Sequence, residues 1–277
     1  MAKIRVALIC GALPLAGIAG AAGWWVWSAN QPGIVADDDL PVPPFPPRIA
    51  EGDTYESCLA SLASDPQGAI AIADSWQATG GGDGAAHCRG LALIALGHPE
   101  DGATVLEQLA ARTSAPALGK ASLLYQAAQA RLMVDQAEQA RDDATAALRM
   151  AADDVDLMIT RASAEADLGA IPEAIRDLTD ALLRDSTRSE ALIARATLYR
   201  KLGRIDLAQA DIDKALTMDP DSPDALLERG ILRQRTGDLT GAREDWEHAR
   251  GADPDSTTAD LADQNLSLLD AGPAKQQ

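Results

Sequence analysis

Histidine and cysteine, which supply much of the chemistry of protein sites, are sparse in this sequence. The three histidines, His87, His98 and His248, have no Ser-His-Asp order and no H-E-x-x-H pattern around them. Cys58 and Cys88 lie 30 residues apart and lack the C-x-x-C spacing of a zinc site. The 42 acidic residues are more typical of a solvated surface than of paired acid–base catalysts. We therefore predict no enzyme activity, no metal site and no cofactor.

Two features argue against a nucleotide or nucleic-acid ligand. Residues 80–84 read GGGDG, but no Gly-Lys-Ser/Thr follows, so the run is interpreted as a flexible turn and not as a phosphate-binding loop. The formal net charge is −18, and two of the 24 basic residues, Lys3 and Arg5, precede an apolar N-terminal segment. An acidic surface repels phosphate backbones and anionic lipid head groups. The prediction is a protein or peptide partner, with no nucleic acid and no small-molecule substrate.

The N-terminal segment predicts a membrane anchor over residues 1–30. Val6–Ala29 is a run of 24 residues without a charge, which is long enough as a helix to cross a hydrocarbon core of about 30 Å. Lys3 and Arg5 before it place the N-terminus in the cytoplasm by the positive-inside bias. This indicates a single-pass protein of the bacterial inner membrane with its C-terminal domain in the periplasm. The alternative is a cleaved signal peptide, since residues 19–21 read AGA, and secretion to the periplasm.

A proline-rich linker is predicted over residues 31–50. Residues 31–48 hold six of the fifteen prolines of the chain. Such a segment favours extended polyproline II backbone, which rises by about 3 Å per residue. We interpret it as a spacer between the membrane and a domain at residues 51–270.

That domain has an internal repeat of 34 residues. Gly169, Gly203 and Gly237 are separated by this step. The same step relates three further sets of residues: Ala174, Ala208 and Ala242; Ala181, Ala215 and Ala249; and Pro220 and Pro254. Aromatic residues make up only 3% of the chain and alanine is abundant, which favours closely packed helices over sheets. A period of this length predicts a stack of helical units.

Residues 155–256 resemble the tetratricopeptide repeat. The resemblance rests on the turn glycine, on a small residue in the first helix of each unit (Ala162, Ala196, Gly230) and on a large apolar residue in the second (Leu178, Ile212, Trp246). It implies an all-α fold, a right-handed α-solenoid of antiparallel helix pairs. Each pair leaves an apolar face that only a neighbouring pair can cover.

The resemblance divides the domain into repeats with a cap at each end. The helical units are an N-terminal pair at 53–79, repeats at 83–116, 121–154, 155–188, 189–222 and 223–256, a capping helix at 257–270 and a disordered tail at 271–277. Asp135 stands where the turn glycine is expected, and Ala117–Lys120 are four extra residues between repeats.

In relatives of this family, one face of each first helix lines an inner groove. The positions that the resemblance assigns to this groove are Tyr125, Gln129, Met133, Ser163, Asp167, Thr197, Lys201, Ile231 and Arg235, with Ile159, Ile193 and Leu227 as alternatives that pack against neighbours. The basic clamp for a C-terminal carboxylate that the family is known for is missing. The mixture favours an extended peptide or a partner helix. The expected function is a membrane-tethered scaffold in envelope assembly or biogenesis, and the alternative is a holdase for unfolded exported chains.

The solenoid interpretation also places the two cysteines. Cys58 and Cys88 each fall early in the first helix of successive units, which run side by side, so a disulfide is expected in an oxidising periplasm. The alternative is two buried free thiols that act as small apolar side chains.

Overall fold

The structure is a computed structural model that describes residues 49–271. These residues form thirteen α-helices and no strand. The helices are α1 (Asp53–Ser61), α2 (Pro66–Ala78), α3 (Gly82–Ala95), α4 (Pro99–Arg112), α5 (Ala117–Leu132), α6 (Ala137–Leu148), α7 (Val155–Asp167), α8 (Ile171–Arg184), α9 (Ser189–Lys201), α10 (Ile205–Met218), α11 (Pro223–Thr236), α12 (Leu239–Ala252) and α13 (Thr257–Ala271). The all-α solenoid predicted for the domain is confirmed.

The predicted anchor and most of the predicted linker lie outside the described residues, as do residues 272–277 of the tail. Within residues 49–271, none of the helices has both the length and the apolar character needed to cross a membrane. The prediction for Val6–Ala29 therefore stays a prediction.

Each helix packs against the next one along the chain, and short turns make successive helices antiparallel. The first helices of neighbouring units also touch, in the series α5, α7, α9, α11 and α13. This second set of contacts gives the stack one layer of first helices, which carries most of the predicted groove residues.

The turn inside each repeat depends on a left-handed residue. Gly169, Gly203 and Gly237 have φ angles of 76°, 73° and 91°, which side chains with a Cβ rarely adopt. Asp135 takes the same place one repeat earlier with φ 57°, and it is the only non-glycine residue with positive φ in the described part of the chain. The predicted glycine role is confirmed, and the repeat that lacks the glycine keeps the same backbone turn.

Small and large side chains complement each other within each hairpin. Gly230 of α11 lies against Trp246 of α12, and a Cβ added at Gly230 would overlap the indole ring. Trp246 is fully buried, and its Nε1 donates to the carbonyl of Leu227 at 3.2 Å. The preceding repeat places Ala196 and Ile212 at the corresponding positions, both fully buried. The largest side chain of the series therefore coincides with the loss of the Cβ opposite it.

Two segments differ from their sequence-based descriptions. Ala117–Lys120, predicted to be an insertion between repeats, forms the first turn of α5 and makes it the longest described helix. In the glycine run, a Cβ at Gly81 would come 2.6 Å from the Trp76 ring, and one at Gly84 would also overlap that ring. These glycines are required for close packing of Trp76, which a purely flexible turn would not need.

Apolar side chains form several clusters along the stack, with no single centre. One cluster runs from α7 to α13 and contains Ile212 and Trp246, and a second runs from α1 to α5. Two smaller clusters lie between them. At the C-terminal end, Ala262 and Leu266 of α13 join the first cluster while Asp260 and Asp263 stay exposed. This is the arrangement of a solenoid, in which each unit covers the next.

Candidate functional site

The predicted groove residues lie on α5, α7, α9 and α11 or directly after them, and they differ in accessibility. Met133, Ser163, Asp167, Lys201 and Arg235 are exposed, whereas Tyr125, Gln129, Thr197 and Ile231 are half-buried. The side chain of Ile231 packs against the α7–α13 cluster, as do those of the alternatives Ile159, Ile193 and Leu227. Apolar groove positions therefore contribute partly to the core, and the polar positions provide most of the open surface.

A cavity of about 320 Å³ lies between α5, α7 and the start of α9. Its lining residues are Tyr125, Gln129, Leu132, Asp156, Ile159, Thr160, Ser163, Arg188 and Glu190. Of the predicted groove residues, it brings together Tyr125, Gln129 and Ser163. The remaining six predicted residues are not part of this cavity: Met133, Asp167, Thr197, Lys201, Ile231 and Arg235.

Tyr125 is held in the cavity wall by a residue one helical turn away. Gln129 Nε2 donates to Tyr125 Oη at 2.8 Å. The pKa of Tyr125 is raised to about 12, mainly by burial and also by the nearby carboxylates of Asp156 and Asp154. Arg188 lowers this pKa, but by less than the two carboxylates together raise it. The phenol is therefore neutral at ordinary pH, and it forms part of the cavity lining.

Arg188 also lines the cavity, where it bonds to two carboxylates. It is the residue before α9, and its Nε donates to Glu190 Oε1 at 2.6 Å while its Nη2 donates to Asp156 Oδ1. Burial alone would lower the pKa of Arg188, but the bonds to Asp156 and Glu190 raise it. The guanidinium therefore stays charged and is already engaged by protein groups.

These three charged residues are the part of the site that the sequence analysis missed. Asp156 and Glu190 are 34 residues apart, in the first turn of successive first helices, and Asp224 follows at the same step. The repeat register therefore contained the signal for an acidic row at the N-terminal ends of these first helices. Arg188 has no basic counterpart at this step and gave no such signal.

A second set of missed residues stabilises the repeats themselves. Each of the three C-terminal hairpins has one bidentate pair that joins its two helices: Arg161 with Asp177, Arg195 with Asp211, and Arg229 with Asp245. In the middle pair, Arg195 Nε donates to Asp211 Oδ2 at 2.8 Å and Nη2 donates to Oδ1 at 2.7 Å. Both the arginines and the aspartates follow the 34-residue step. The three aspartates are buried, so each pair satisfies a carboxylate inside the hairpin.

The repeat at 121–154 has the aspartate of this series without its arginine. Asp143 occupies the aspartate position, but Ala127 stands where the arginine would be. Asp143 Oδ2 is buried and has no hydrogen-bond partner among the described residues. Burial and the neighbouring carboxylate of Glu107 raise the pKa of Asp143 to about 7, although Arg131 acts in the opposite direction.

The N-terminal helices hold the cysteines and one buried histidine. Cys58 of α1 and Cys88 of α3 form a disulfide with their Cα atoms 6.2 Å apart. Next to it, His87 Nδ1 lies 2.5 Å from Tyr55 Oη and His87 Nε2 lies 2.8 Å from Gln126 Oε1. Burial lowers the pKa of His87 to about 4, so the ring is neutral. A fully buried histidine with both nitrogens engaged is a structural group and offers no accessible catalytic base.

The other two histidines lie at the surface. His98 and His248 are both exposed, and His248 Nε2 lies 3.0 Å from a carboxylate oxygen of Asp221. Across residues 49–271, no three His, Cys, Asp or Glu side chains are grouped so that they would hold a metal ion.

The comparisons with known proteins agree with the repeat seen in the structure. Residues 193–257 match the family model of the tetratricopeptide repeat (TPR). A search of curated proteins found no sequence match. Among solved structures, a thermophilic TPR protein of Thermus thermophilus is 20% identical with a TM-score of 0.55, over 67% of this chain and 97% of that one.

Two further solved structures illustrate the range of similar solenoids. YrrB, described as a TPR protein with an unusual peptide-binding site, is 18% identical with a TM-score of 0.51, over 70% of this chain and 97% of that one. A chain of the Cut9–Hcn1 hetero-tetramer of APC/C is 12% identical with a TM-score of 0.61, over 77% of this chain and 42% of that one. At such identities the likeness concerns the fold.

Proposed function

We propose that the chain is an adaptor that binds an extended segment or helix of a partner protein in a groove formed by α5, α7, α9 and α11. The match of residues 193–257 to the tetratricopeptide repeat model supports this. The observation that carries this proposal is the cavity on that face. It combines an aromatic ring, aliphatic side chains and several hydrogen-bonding groups, which is the composition of a specific side-chain pocket. YrrB, a protein of similar fold, is described as having a peptide-binding site.

The groove is suited to a peptide since its polar groups project from one layer of helices. Gln129 and Ser163 lie on adjacent first helices, and Thr197 and Lys201 continue the same face on the next one. An extended peptide that crosses these helices would meet one group of side chains per repeat. We keep the predicted residues outside the cavity, including Met133, Asp167, Ile231 and Arg235, as contacts for the flanking parts of the ligand.

We also propose that the adaptor is tethered to the bacterial inner membrane by residues 1–30 and faces the periplasm, where it serves envelope assembly or biogenesis. The charge pattern of the N-terminus supports this orientation. The disulfide between Cys58 and Cys88 supports an oxidising compartment, since cytosolic proteins seldom retain such bonds.

Site-specific photo-crosslinking in intact cells tests the adaptor function. A photoreactive amino acid is placed at Ser163, which is exposed in the cavity, and in a control at Glu173, which is exposed on α8 of the same repeat. We expect one stoichiometric partner from position 163 and none from position 173. A diffuse set of polypeptides at position 163 would indicate a holdase instead. Equal labelling at both positions would overturn the assignment of the groove.

A reporter fused after Gln277 tests the proposed topology separately. We expect an enzyme that is active only outside the cytoplasm, such as alkaline phosphatase, to be active in this fusion. Strong activity of a reporter that works only in the cytoplasm would reverse the orientation without affecting the groove.

A further inference from the structure

We propose that the cavity between α5, α7 and α9 receives a lysine or arginine side chain of the bound partner. This inference rests on the peptide-binding function proposed above and specifies the chemistry of the residue that is recognised. Its support comes from the charges that line the cavity, their remaining bonding capacity and the shape of the walls.

The charge of the cavity wall is negative. Asp156 and Glu190 contribute two carboxylates, and the only cation among the lining residues is Arg188. The side chains of Asp156 and Glu190 are 48% and 52% exposed, whereas that of Arg188 is 26% exposed. A ligand that enters the cavity therefore meets the carboxylates more openly than it meets the guanidinium.

Asp156 and Glu190 each have one carboxylate oxygen that Arg188 does not contact. Arg188 bonds to Oδ1 of Asp156 and to Oε1 of Glu190, and these contacts leave Oδ2 and Oε2 available. A second cation between the two residues would complete a set of charge-assisted hydrogen bonds. An anionic ligand would instead have to displace one of the carboxylates from Arg188, and it would face a net negative wall.

The electrostatic environment of Tyr125 also favours a positively charged ligand. The carboxylates of Asp156 and Asp154 raise the pKa of this phenol, and Arg188 offsets them only partly. The field at this wall therefore disfavours negative charge and favours a cation. Tyr125 is also an aromatic residue of the cavity lining, and aromatic rings attract ammonium and guanidinium groups that lie over their faces.

The rest of the cavity matches the aliphatic part of such a side chain. Leu132 and Ile159 supply apolar wall next to the ring of Tyr125. Lysine and arginine carry three or four methylene groups that pack on apolar surface while the charged end stays near water. A leucine or phenylalanine would fill the same volume but would remove water from Asp156 and Glu190 without replacing their hydrogen bonds.

Selection of random peptides on the purified full-length chain tests the proposal directly. Phage-displayed peptides of a dozen residues are selected on the immobilised protein and are compared with the unselected library. We expect selected sequences to share one lysine or arginine next to apolar residues. Selection of peptides without a basic residue in common would overturn the proposal but leave the adaptor function intact. Failure to select any peptide would overturn both.

A charge variant of the protein links the selected residue to this cavity. The variant Asp156→Asn/Glu190→Gln removes both carboxylates, and the control Glu173→Gln/Asp213→Asn removes one Glu and one Asp from exposed positions on α8 and α10. For a selected peptide, we expect the cavity variant to bind about tenfold more weakly and the control to bind like the unmodified protein. Equal losses in both variants would indicate general attraction to an acidic protein, and would overturn the specific site.

A change on the peptide side keeps the test decisive if the cavity variant does not fold. Replacement of the common basic residue by norleucine preserves the aliphatic stem and removes the charge. We expect this peptide to bind the unmodified protein about tenfold more weakly, and we expect salt to weaken the parent peptide more than the norleucine peptide. Unchanged binding of the norleucine peptide would overturn the proposal, because the cavity would then recognise only the apolar stem.

Discussion

The repeats at residues 155–256 and the helices that precede them both bury polar side chains, but they satisfy them in different ways. In the three C-terminal repeats, each buried aspartate receives two hydrogen bonds from an arginine of the paired helix. Before residue 155, the corresponding contacts occur once each, as in the disulfide and the His87–Gln126 hydrogen bond, and Asp143 lies beside the carboxylate of Glu107 where an arginine would be expected.

This difference shows what a repeat requires and what it tolerates. Where both residues of the Arg–Asp pair are present, the pair recurs with nearly the same geometry in every hairpin. Where Ala127 replaces the arginine, the helices still pack, and the carboxyl of Asp143 lies beside Glu107 and has a raised pKa. The small-residue packing therefore defines the hairpin, and the buried ion pair is an addition to it. The predictions below test this comparison.

The largest effect is expected from loss of the disulfide. The variant Cys58→Ala/Cys88→Ala should reduce the free energy of unfolding by about 3 to 4 kcal/mol, because the bond closes a loop of 30 residues. Urea unfolding of the variant measures the loss, and hydrogen exchange should place it in α1–α3. Equal stability of the parent protein with and without a reducing agent would contradict a structural role of the bond.

Breaking one Arg–Asp pair should be the next most damaging change. Arg195→Met leaves the carboxylate of Asp211 buried without its partner, and we expect a loss of about 2 to 3 kcal/mol in urea unfolding. The double variant Arg195→Met/Asp211→Leu should recover most of this loss, since no charge is then left buried. A single variant as stable as the parent would mean that the pairs are dispensable in the regular repeats too.

The contact between Gly230 and Trp246 tests the packing on which the hairpin depends. Gly230→Ala should cost about 2 kcal/mol, because the added methyl group overlaps the indole ring and forces it to move. The matched control is Gly251→Ala, on the same hairpin, where an added Cβ meets nothing within 4 Å. That control should be neutral or stabilising, since alanine favours helix over glycine. Thermal unfolding of both variants is the measurement.

Asp143, which lies beside Glu107 and has no arginine partner in its hairpin, predicts a pH dependence of stability that originates in the irregular repeat. Because its pKa is raised to about 7, the folded state binds a proton more tightly than the unfolded state, and stability falls as pH rises from about 4 to 7. Asp143→Asn removes this loss and should be more stable than the parent by on the order of 1 kcal/mol at pH 8, with little difference at pH 4. Urea unfolding at several pH values measures the difference between the two proteins.

The parent must be compared with the Asp143→Asn variant because other groups also change protonation between about pH 4 and 7. Glu165, whose pKa burial raises to about 7, acts in the same direction as Asp143. His87, whose pKa burial lowers to about 4, acts in the opposite direction, because the unfolded state then binds the proton more tightly. As a control, replacement of the exposed neighbour Asp142 by Asn should keep most of the pH dependence. A parent-to-variant difference that does not change with pH would refute the assignment to Asp143.

The smallest effect is expected at the turn of the same repeat. Asp135→Gly should stabilise the protein by about 0.5 to 1 kcal/mol, because glycine adopts a φ of 57° without steric cost. The reciprocal change Gly169→Asp should destabilise by a similar amount. If both substitutions changed the melting temperature in the same direction, the turn would not be governed by backbone conformation.

The fold was largely predictable because its determinants recur in the sequence. The turn glycines and the small and large apolar residues follow one step of 34, and their backbone and packing roles are local. The start of α5 was not predictable in the same way. Ala117–Lys120 contain no residue that starts a helix by itself, so the sequence did not show that α5 begins at Ala117 and not at the first residue of the next repeat.

The candidate site was predictable only in part, for a physical reason. The helical period identified the face that holds Tyr125, Gln129 and Ser163. The opposite wall combines Asp156 and Glu190 with Arg188 from a connecting turn, and their approach depends on how far successive repeats are displaced. The spacing of 34 between the two carboxylates was visible in the sequence, but their partnership with one guanidinium requires the three-dimensional arrangement.

The position of the cavity along the stack has a consequence for cooperativity. The described helices have two main apolar clusters, joined between α5 and α8 by two smaller ones, so each end of the stack has its own core. Tyr125 and Gln129 belong to the last helix that the N-terminal cluster reaches, whereas Ser163 and Glu190 belong to helices of the C-terminal one. A ligand seated between them would contact both sides of this boundary, so we expect occupancy to raise the unfolding temperature of both ends of the stack together.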